Sequence, residues 1–480
     1  MLSYILQAIT FVALGGLALY GFLGLYTLIL FYRHQGDDTG PAQCNMAQLP
    51  PVTVQLPIFN ERYVVERLIR AAAALEYPRE LLQIQILDDS IDDTTARVAA
   101  LVNRYQAGGT NIALLHRPQR DGYKAGALNG GLKVATGEFI VIFDADFEPP
   151  PDFLRRTIPH FLEAPELGLI QTRWGHLNAS DSLLTAAQAL ALDKHFVMEQ
   201  TVRFRAALFP KFNGTAGVWR RSCLEDAGGW QSDTVCEDLC LSTRAVLRGW
   251  RFHYLPDVVA PAELPASIMA YKNQQARWAK GSTQCLLKFG GEIWRSAQQR
   301  PAARLYALLT MAAYCTSLLL IILLLAQIPL MLLRVELPAA LVVLGIAGVG
   351  QPLLFVLSQQ NLHRDWKRRA WRLPGLLLIA IGLSATITRA VVQAIGGRRH
   401  AFVRTPKLGD AHGKVEADRK GAYQLPFDAI VFVELFLAVY AFTAIVVAVW
   451  QGMVGPLPFL LGCALGFGSV ALFTWLERTR

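Results

Sequence analysis

The chain has 480 residues, with 46 Lys and Arg against 37 Asp and Glu for a formal charge of +9, and 53% apolar residues against 17% charged ones. That length holds two to four domains, and the apolar excess is too large for a purely soluble protein. Disordered, collagen-like and disulfide-scaffold classes are excluded by the same composition.

Residues 1–32 contain no Lys, Arg, Asp or Glu. The run is longer than a signal-peptide core, with no basic leader before it and no small-residue cleavage site after it, so it predicts a retained transmembrane helix. From 51 to 260 the periodicity changes. VTVQLPIF, QIQILDDS, IALLHR, EFIVIFDAD and LGLIQTRW read as strands, separated by amphipathic helical patterns such as ERYVVERLIRAAAAL and TTARVAALVNRYQ. The alternation predicts an α/β domain with a mostly parallel sheet, whose ligands gather beyond the carboxyl ends of the strands. Neither a dinucleotide fingerprint nor a GxxxxGK[ST] loop accompanies these strands, so hydride transfer and NTP-driven motion have no support.

The chemistry therefore falls to acidic residues. Asp88 and Asp89 end the second strand, and Asp144 and Asp146 end the EFIVIFDAD strand, which puts two carboxylate pairs at one edge of the sheet. Buried like charges there are expensive unless a cation or a donor-rich ligand meets them. Mg²⁺ or Mn²⁺ bridging a ligand diphosphate would do so through one or two carboxylates; the alternative is a chance DxD. Between the pairs, RPQRDGYKAGALNGG sets Arg117, Arg120 and Lys124 ahead of a small-residue helix start. This is either an anion cradle or a solvated basic loop. A third cluster, Cys236-Glu237-Asp238, opens a helix, where an acid serves as a cap or as a catalytic group. The seven cysteines are scattered and odd in number. They read as reduced thiols, with Cys236 and Cys240 a matter of packing rather than a zinc site.

Residues 261–304 are predicted to form interfacial helices. Apolar stretches follow at 306–333, 338–357, 374–395, 429–450 and 456–473. The loops at 363–372 and 396–409 are dense in Lys and Arg, which places both on the cytosolic side, and two cytosolic loops cannot flank one crossing. The helix at 374–396, with Thr386, Thr388, Arg389 and Gln393, is therefore read as interfacial rather than spanning. The expectation is one span at 1–32, two within 305–358 and two within 428–475. The amino terminus lies outside and the α/β domain in the cytosol. The positive charge then reflects topology and contact with the lipid bilayer, and no nucleic acid is expected as a partner.

The ordered series LDDS, RDGYKAGALN, FDADF, QTRW, FNGTAGVWR, CED and QQARW resembles the processive membrane glycosyltransferases of family 2. It is most similar to the cellulose-synthase-like enzymes that make β-1,4-mannan and β-1,4-glucan backbones, and more distantly to bacterial cellulose synthase. The resemblance runs from 52 to 288 and extends into the membrane part. It implies a GT-A-type glycosyltransferase domain at 51–260 joined to an α-helical transmembrane region, in an integral protein of the plasma (inner) membrane. The implied donor is a nucleotide sugar, UDP-glucose or GDP-mannose, and the implied acceptor a growing polysaccharide, with inversion to a β linkage.

By the same resemblance Asp88, Asp89 and Lys124 belong to the donor site, and Asp144 and Asp146 hold the Mg²⁺ or Mn²⁺ ion on the donor diphosphate. Asp238 is the implied general base with Glu237 beside it. Arg277 meets the diphosphate, while Gln274, Trp278, Phe212, Asn213 and Gly214 serve the acceptor. A gating-type loop at 397–410 brings Thr405 and Lys407 to the donor phosphates. Two departures stand out: Cys236 replaces the Thr of the family's TED, and Arg404 stands where that loop usually has Val. The alternative reading is a non-processive enzyme adding one sugar to a diacylglycerol- or ceramide-type lipid.

Overall fold

The computed structural model describes residues 1–37, 49–338, 341–397, 407, 409 and 425–479. Helix α1 (Leu2–His34) leads into a seven-stranded sheet. Its strands are β1 (Val52–Ile58), β2 (Leu82–Asp88), β3 (Ile112–His116), β4 (Phe139–Ile142), β5 (Leu167–His176), β6 (Gly217–Arg220) and β7 (Arg251–Ala262). Their order is β3-β2-β1-β4-β6-β5-β7, with β6 antiparallel to both neighbours and every other pairing parallel. The expected mostly parallel sheet is present.

Both faces of the sheet are covered, and for that reason β1, β2 and β4 are buried at almost every position, with the polar Gln55 and Gln85 bonded to each other at 3.0 Å. Along β4 the pleat sends Phe139 and Val141 into one core with Leu68 and Ile69, and Ile140 and Ile142 into another with Leu128 and Trp219. Each such side chain, fully withdrawn from water, contributes roughly 1.5–3 kcal/mol. The five strands expected from the pattern are β1 to β5. Strands β6 and β7 escaped it because β6, GVWR, holds only two apolar side chains where the equally short β4 holds four, and β7 contains Pro256 and Pro261, which read as breakers. At the edge of a sheet a missing N–H is tolerated.

Three helices carry site residues. The first two are short: α2 (Tyr123–Lys133), entered through Gly122, and α3 (Glu237–Leu247), which starts at the third acidic cluster. The third, the 28-residue α4 (Ile268–Arg295), then runs under the domain, capped by Ser267 accepting from the Ala270 N–H at 3.1 Å. Beyond it lie α5 (Cys315–Leu332), α6 (Leu341–Ala347), α7 (Gly350–Leu362), α8 (Leu373–Ile395), α9 (Ile430–Trp450) and α10 (Leu457–Thr479).

Five helices among the described residues are long and apolar enough to be candidate membrane spans: α1, α5, the stretch Trp366–Ile395 that ends in α8, α9 and α10. The stretch expected as one span at 338–357 is instead divided between α6 and α7. It breaks where backbones meet: a Cβ on Gly350 would stand 2.0 Å from the carbonyl oxygen of Gly21 in α1.

Candidate active site

The strand ends of β1, β2, β4 and β5 open onto one cleft of about 220 Å³. Asp89, Lys124, Asp144, Asp146, Asn213, Gly214, Glu237, Asp238, Gln274, Arg277, Trp278 and Lys407 all line it. Residues separated by more than three hundred positions thus meet at the edge that open α/β sheets use for ligands.

Its electrostatics are those of acids held together by a few cations. Lys124, in the first turn of α2, lies 2.5 Å from Asp144 Oδ1 and 3.9 Å from Glu237 Oε1, and donates to the Gly214 carbonyl at 2.9 Å. Burial opposes its charge, but Asp144, Glu237 and Asp238 outweigh burial and hold its pKa above the usual lysine value. Lys407 plays the same part for Asp146, at 2.6 Å, and also donates to the Glu263 carbonyl at 2.5 Å. Asp89 receives Arg117 in a two-point bond, 2.7 and 2.6 Å. Burial pushes the Glu237 carboxyl up to about 7, against the pull of Lys124, and raises Asp238 as well.

Gly214 sits at φ +85°, and a Cβ there would stand 2.8 Å from Asp238 Oδ2. A left-handed residue without a side chain is required on both counts. Gly214→Ala is therefore expected to cost about 1–2 kcal/mol in stability and to displace the Asp238 carboxylate, read as a lowered melting temperature with a lost kcat. Cys236, where the resembling family has Thr, packs into a similar gap: a Cβ on Gly281 of α4 would lie 2.1 Å from its sulfur.

Two expected site residues are placed differently, and a third falls outside the described residues. Asp88 is fully buried, and its carboxylate is taken by the Ser90 N–H, the Thr95 hydroxyl and His116 at 2.9, 2.5 and 3.0 Å. It shapes the turn that presents Asp89 and does not line the cleft. Phe212 packs in the core against Trp219, ring centroids 5.5 Å apart, because the chain turns only after it. Thr405 falls outside the described residues, as does the rest of the expected gating motif except Lys407. Asn213 does line the cleft, but Gln200 donates to its Oδ1 at 2.5 Å and its Nδ2 lies 3.0 Å from His195 Nε2. Its amide is engaged on the protein side.

The expectation of seven reduced thiols is also corrected. Cys240 and Cys285 are joined as a disulfide that ties α3 to α4, their Cα atoms 6.0 Å apart. At a sequence separation of 45, only the packing of the two helices brings them together. Sequence reading missed Glu263, which pairs with Arg67 at 3.1 Å and accepts from the Gly409 N–H at 3.0 Å. As a single acid in PAELPA it carries no signal of its own. Trp174 and His176, at the end of β5, likewise line the cleft.

The pair Asp144 and Asp146 fits a divalent cation. Each carboxylate projects into the cleft and is paired with a lysine, so an ion bound there would share the carboxylates with Lys124 and Lys407 or displace them. Among the described residues no group of three His, Cys, Asp or Glu forms a closed protein cage. That suits an ion held by one or two carboxylates together with ligand phosphates.

Residues 50–281 match the model of a glycosyltransferase like family 2. The chain is 43% identical over 272 residues to glucomannan 4-beta-mannosyltransferase 7 of Arabidopsis thaliana, covering 55% of this chain and 48% of that protein. It is 42% identical over 269 residues to glucomannan 4-beta-mannosyltransferase 1 of Oryza sativa, covering 55% and 52%. The chain thus spans about half the length of the curated relatives it matches. In fold it is similar to the mannosyltransferase PcManGT from Pyrobaculum calidifontis, solved with GDP-Man and Mn²⁺, with a TM-score of 0.56 and 21% identity over 83% of this chain and 100% of that one.

Proposed function

We propose, from the premise that the chain carries a glycosyltransferase family 2 domain over residues 50–281, that it is a membrane-embedded inverting glycosyltransferase that builds a β-linked mannan or glucomannan from GDP-mannose. The observation that carries this reading is the meeting of Asp238, Arg277, Trp278 and the Asp144/Asp146 pair in one cleft whose floor helix, α4, packs on the membrane helices. The choice of mannose over glucose is supported by the relatives, which are named as mannosyltransferases.

Asp238, at the start of α3, takes the proton of the acceptor hydroxyl as that oxygen attacks the anomeric carbon. Arg277 and Lys124 stabilise the departing diphosphate, and Lys407 closes on the same side. Trp278 presents an aromatic face on which an acceptor sugar stacks, and Gln274 stands one turn before it on the same helix. Asp144 and Asp146 would hold a Mg²⁺ or Mn²⁺ ion, which when bound supplies further charge neutralisation at the diphosphate. One in-line displacement inverts an α-linked donor sugar to a β linkage.

The test is a polymer assay on detergent-purified protein with Mn²⁺ or Mg²⁺, offering GDP-mannose and UDP-glucose separately and digesting the product with β-mannanase or β-glucanase. A long product cut by β-mannanase supports the reading. A product of one or two sugars extractable into organic solvent would move the protein to the lipid glycosyltransferases.

The membrane arrangement we propose keeps α8 at the interface of a plasma-type membrane, with the catalytic domain in the cytosol. By composition α8 could cross, but both its flanks are held by the α/β domain. Before it, Gln359 and His363 reach Asp193 at 2.9 and 3.5 Å; after it, Lys407 reaches Asp146. Cysteines placed at 367 and 397 are expected to react with a membrane-impermeant thiol reagent from the same, cytosolic side. Labelling from opposite sides would make α8 a span.

A further inference from the structure

Helix α4 brings Gln274, Arg277 and Trp278 to the cleft from its second and third turns. Its first turns are held by the membrane helices. Glu477, near the end of α10, accepts from the N–H groups of Ile268 at 2.6 Å and Met269 at 3.1 Å. These are two of the donors that any helix start leaves unsatisfied, and a negative charge there also suits the helix dipole.

One turn further, Lys272 leaves the domain and enters the bundle. Its ammonium lies 2.7 and 2.8 Å from the two carboxylate oxygens of Glu434 in α9, and 3.4 Å from the Thr474 hydroxyl of α10. Thr386 of α8 donates to Glu434 at 3.2 Å. The two charged side chains are 3% and 0% exposed. A carboxylate this deeply buried in an apolar helix is costly unless paired, and a leucine would pack as well. Four helices thus meet at one ion pair, whose lysine stands five residues before Arg277.

Resting on the function proposed above, we propose that Lys272, Glu434 and Glu477 are positioning residues that lock the start of α4 to α8, α9 and α10, and so hold Arg277 and Trp278 in register with the cleft. They touch no reacting atom and act through α4. A misplacement of about 1 Å at such groups can cost on the order of 100-fold in rate.

The test uses the full-length protein in detergent, with Lys272→Met/Glu434→Leu and Glu477→Ala compared to wild type. The double variant removes both charges at conserved volume, so its melting temperature should be retained. Amide exchange across residues 268–280 is expected to rise, and kcat for mannosyl transfer from GDP-mannose with Mn²⁺ to fall roughly tenfold or more, with a smaller loss of GDP affinity because Arg277 shifts as well. Exchange and kcat both at wild-type values in the two variants would overturn the proposal. So would raised exchange with unchanged kcat, which makes the pair a purely structural tie. If the double variant fails to fold, Glu477→Ala decides the question, because it leaves the buried pair intact. If the wild type transfers no sugar from any donor, the functional reading fails, while amide exchange still reports whether the lock exists.

Discussion

Replacing Asp238 with Asn is expected to lower sugar transfer by on the order of 10²–10⁴-fold while leaving nucleotide binding intact. The exchange is isosteric, so the contact with Gly214 survives, and Asp89, Lys124 and Asp144 stay where they are. Only the capacity to accept a proton is lost. Because burial raises Asp238 above the ordinary carboxylate value, the wild-type enzyme should lose activity as pH falls, when the base becomes protonated. The variant's residual rate should show no such limb.

The neighbouring Glu237 supplies the control. Its Gln variant should remove an acid pushed up to about 7 from an ordinary 4.5. The sign for stability is opposite to that for catalysis. The folded state binds more protons than the unfolded one between about 4.5 and 7, so this site's contribution to stability diminishes as pH rises through that window. A melting-temperature profile that is flatter in Glu237→Gln would report it. Near-normal polymer synthesis by Asp238→Asn would remove the assigned base.

Much of this cleft was legible because its residues end strands or open helices. Asp89, Asp144 and Asp146 follow short apolar strand runs, alternating in β2 and continuous in β4, and the sheet's one-sided strand ends then force them together. Asp88 was not separable from Asp89 on that basis. The two are adjacent, and only the turn through Ser90, with Thr95 and His116 close by, decides which carboxylate faces the cleft. Phe212 failed for a related reason: a motif names a segment, whereas burial distinguishes its side chains one by one. The disulfide between Cys240 and Cys285 and the lock at Glu434 depend on which helices pack together, and no local pattern encodes a contact between positions 162 residues apart. Charge offers a long-range argument of another kind. Positive loops on both flanks of 374–396 argue for an interfacial helix, whereas its length and apolarity make Trp366–Ile395 a candidate span; the contacts of Gln359, His363 and Lys407 with the α/β domain are the reason we propose the interfacial placement.

The second large effect is expected at Asp146. Asp146→Asn should weaken binding of GDP in the presence of Mn²⁺ by at least about tenfold and lower transfer with it, whereas Asp238→Asn lowers transfer alone. The difference follows from what each carboxylate faces. Asp146 is partly exposed in the cleft and balanced by Lys407 at 2.6 Å, so on the proposed function its charge would help hold a divalent ion at the donor diphosphate. With the charge removed, Lys407 also loses its ion-pair partner, and among the described residues it keeps the Glu263 carbonyl. Calorimetric titration with GDP, run with Mn²⁺ and again with EDTA, separates the two contributions. EDTA should reduce wild-type affinity and leave Asp146→Asn nearly unaffected, since the variant has already lost the ion. If wild type binds GDP equally well in EDTA, the Asp144/Asp146 pair holds no metal, and the lysines alone must neutralise the diphosphate.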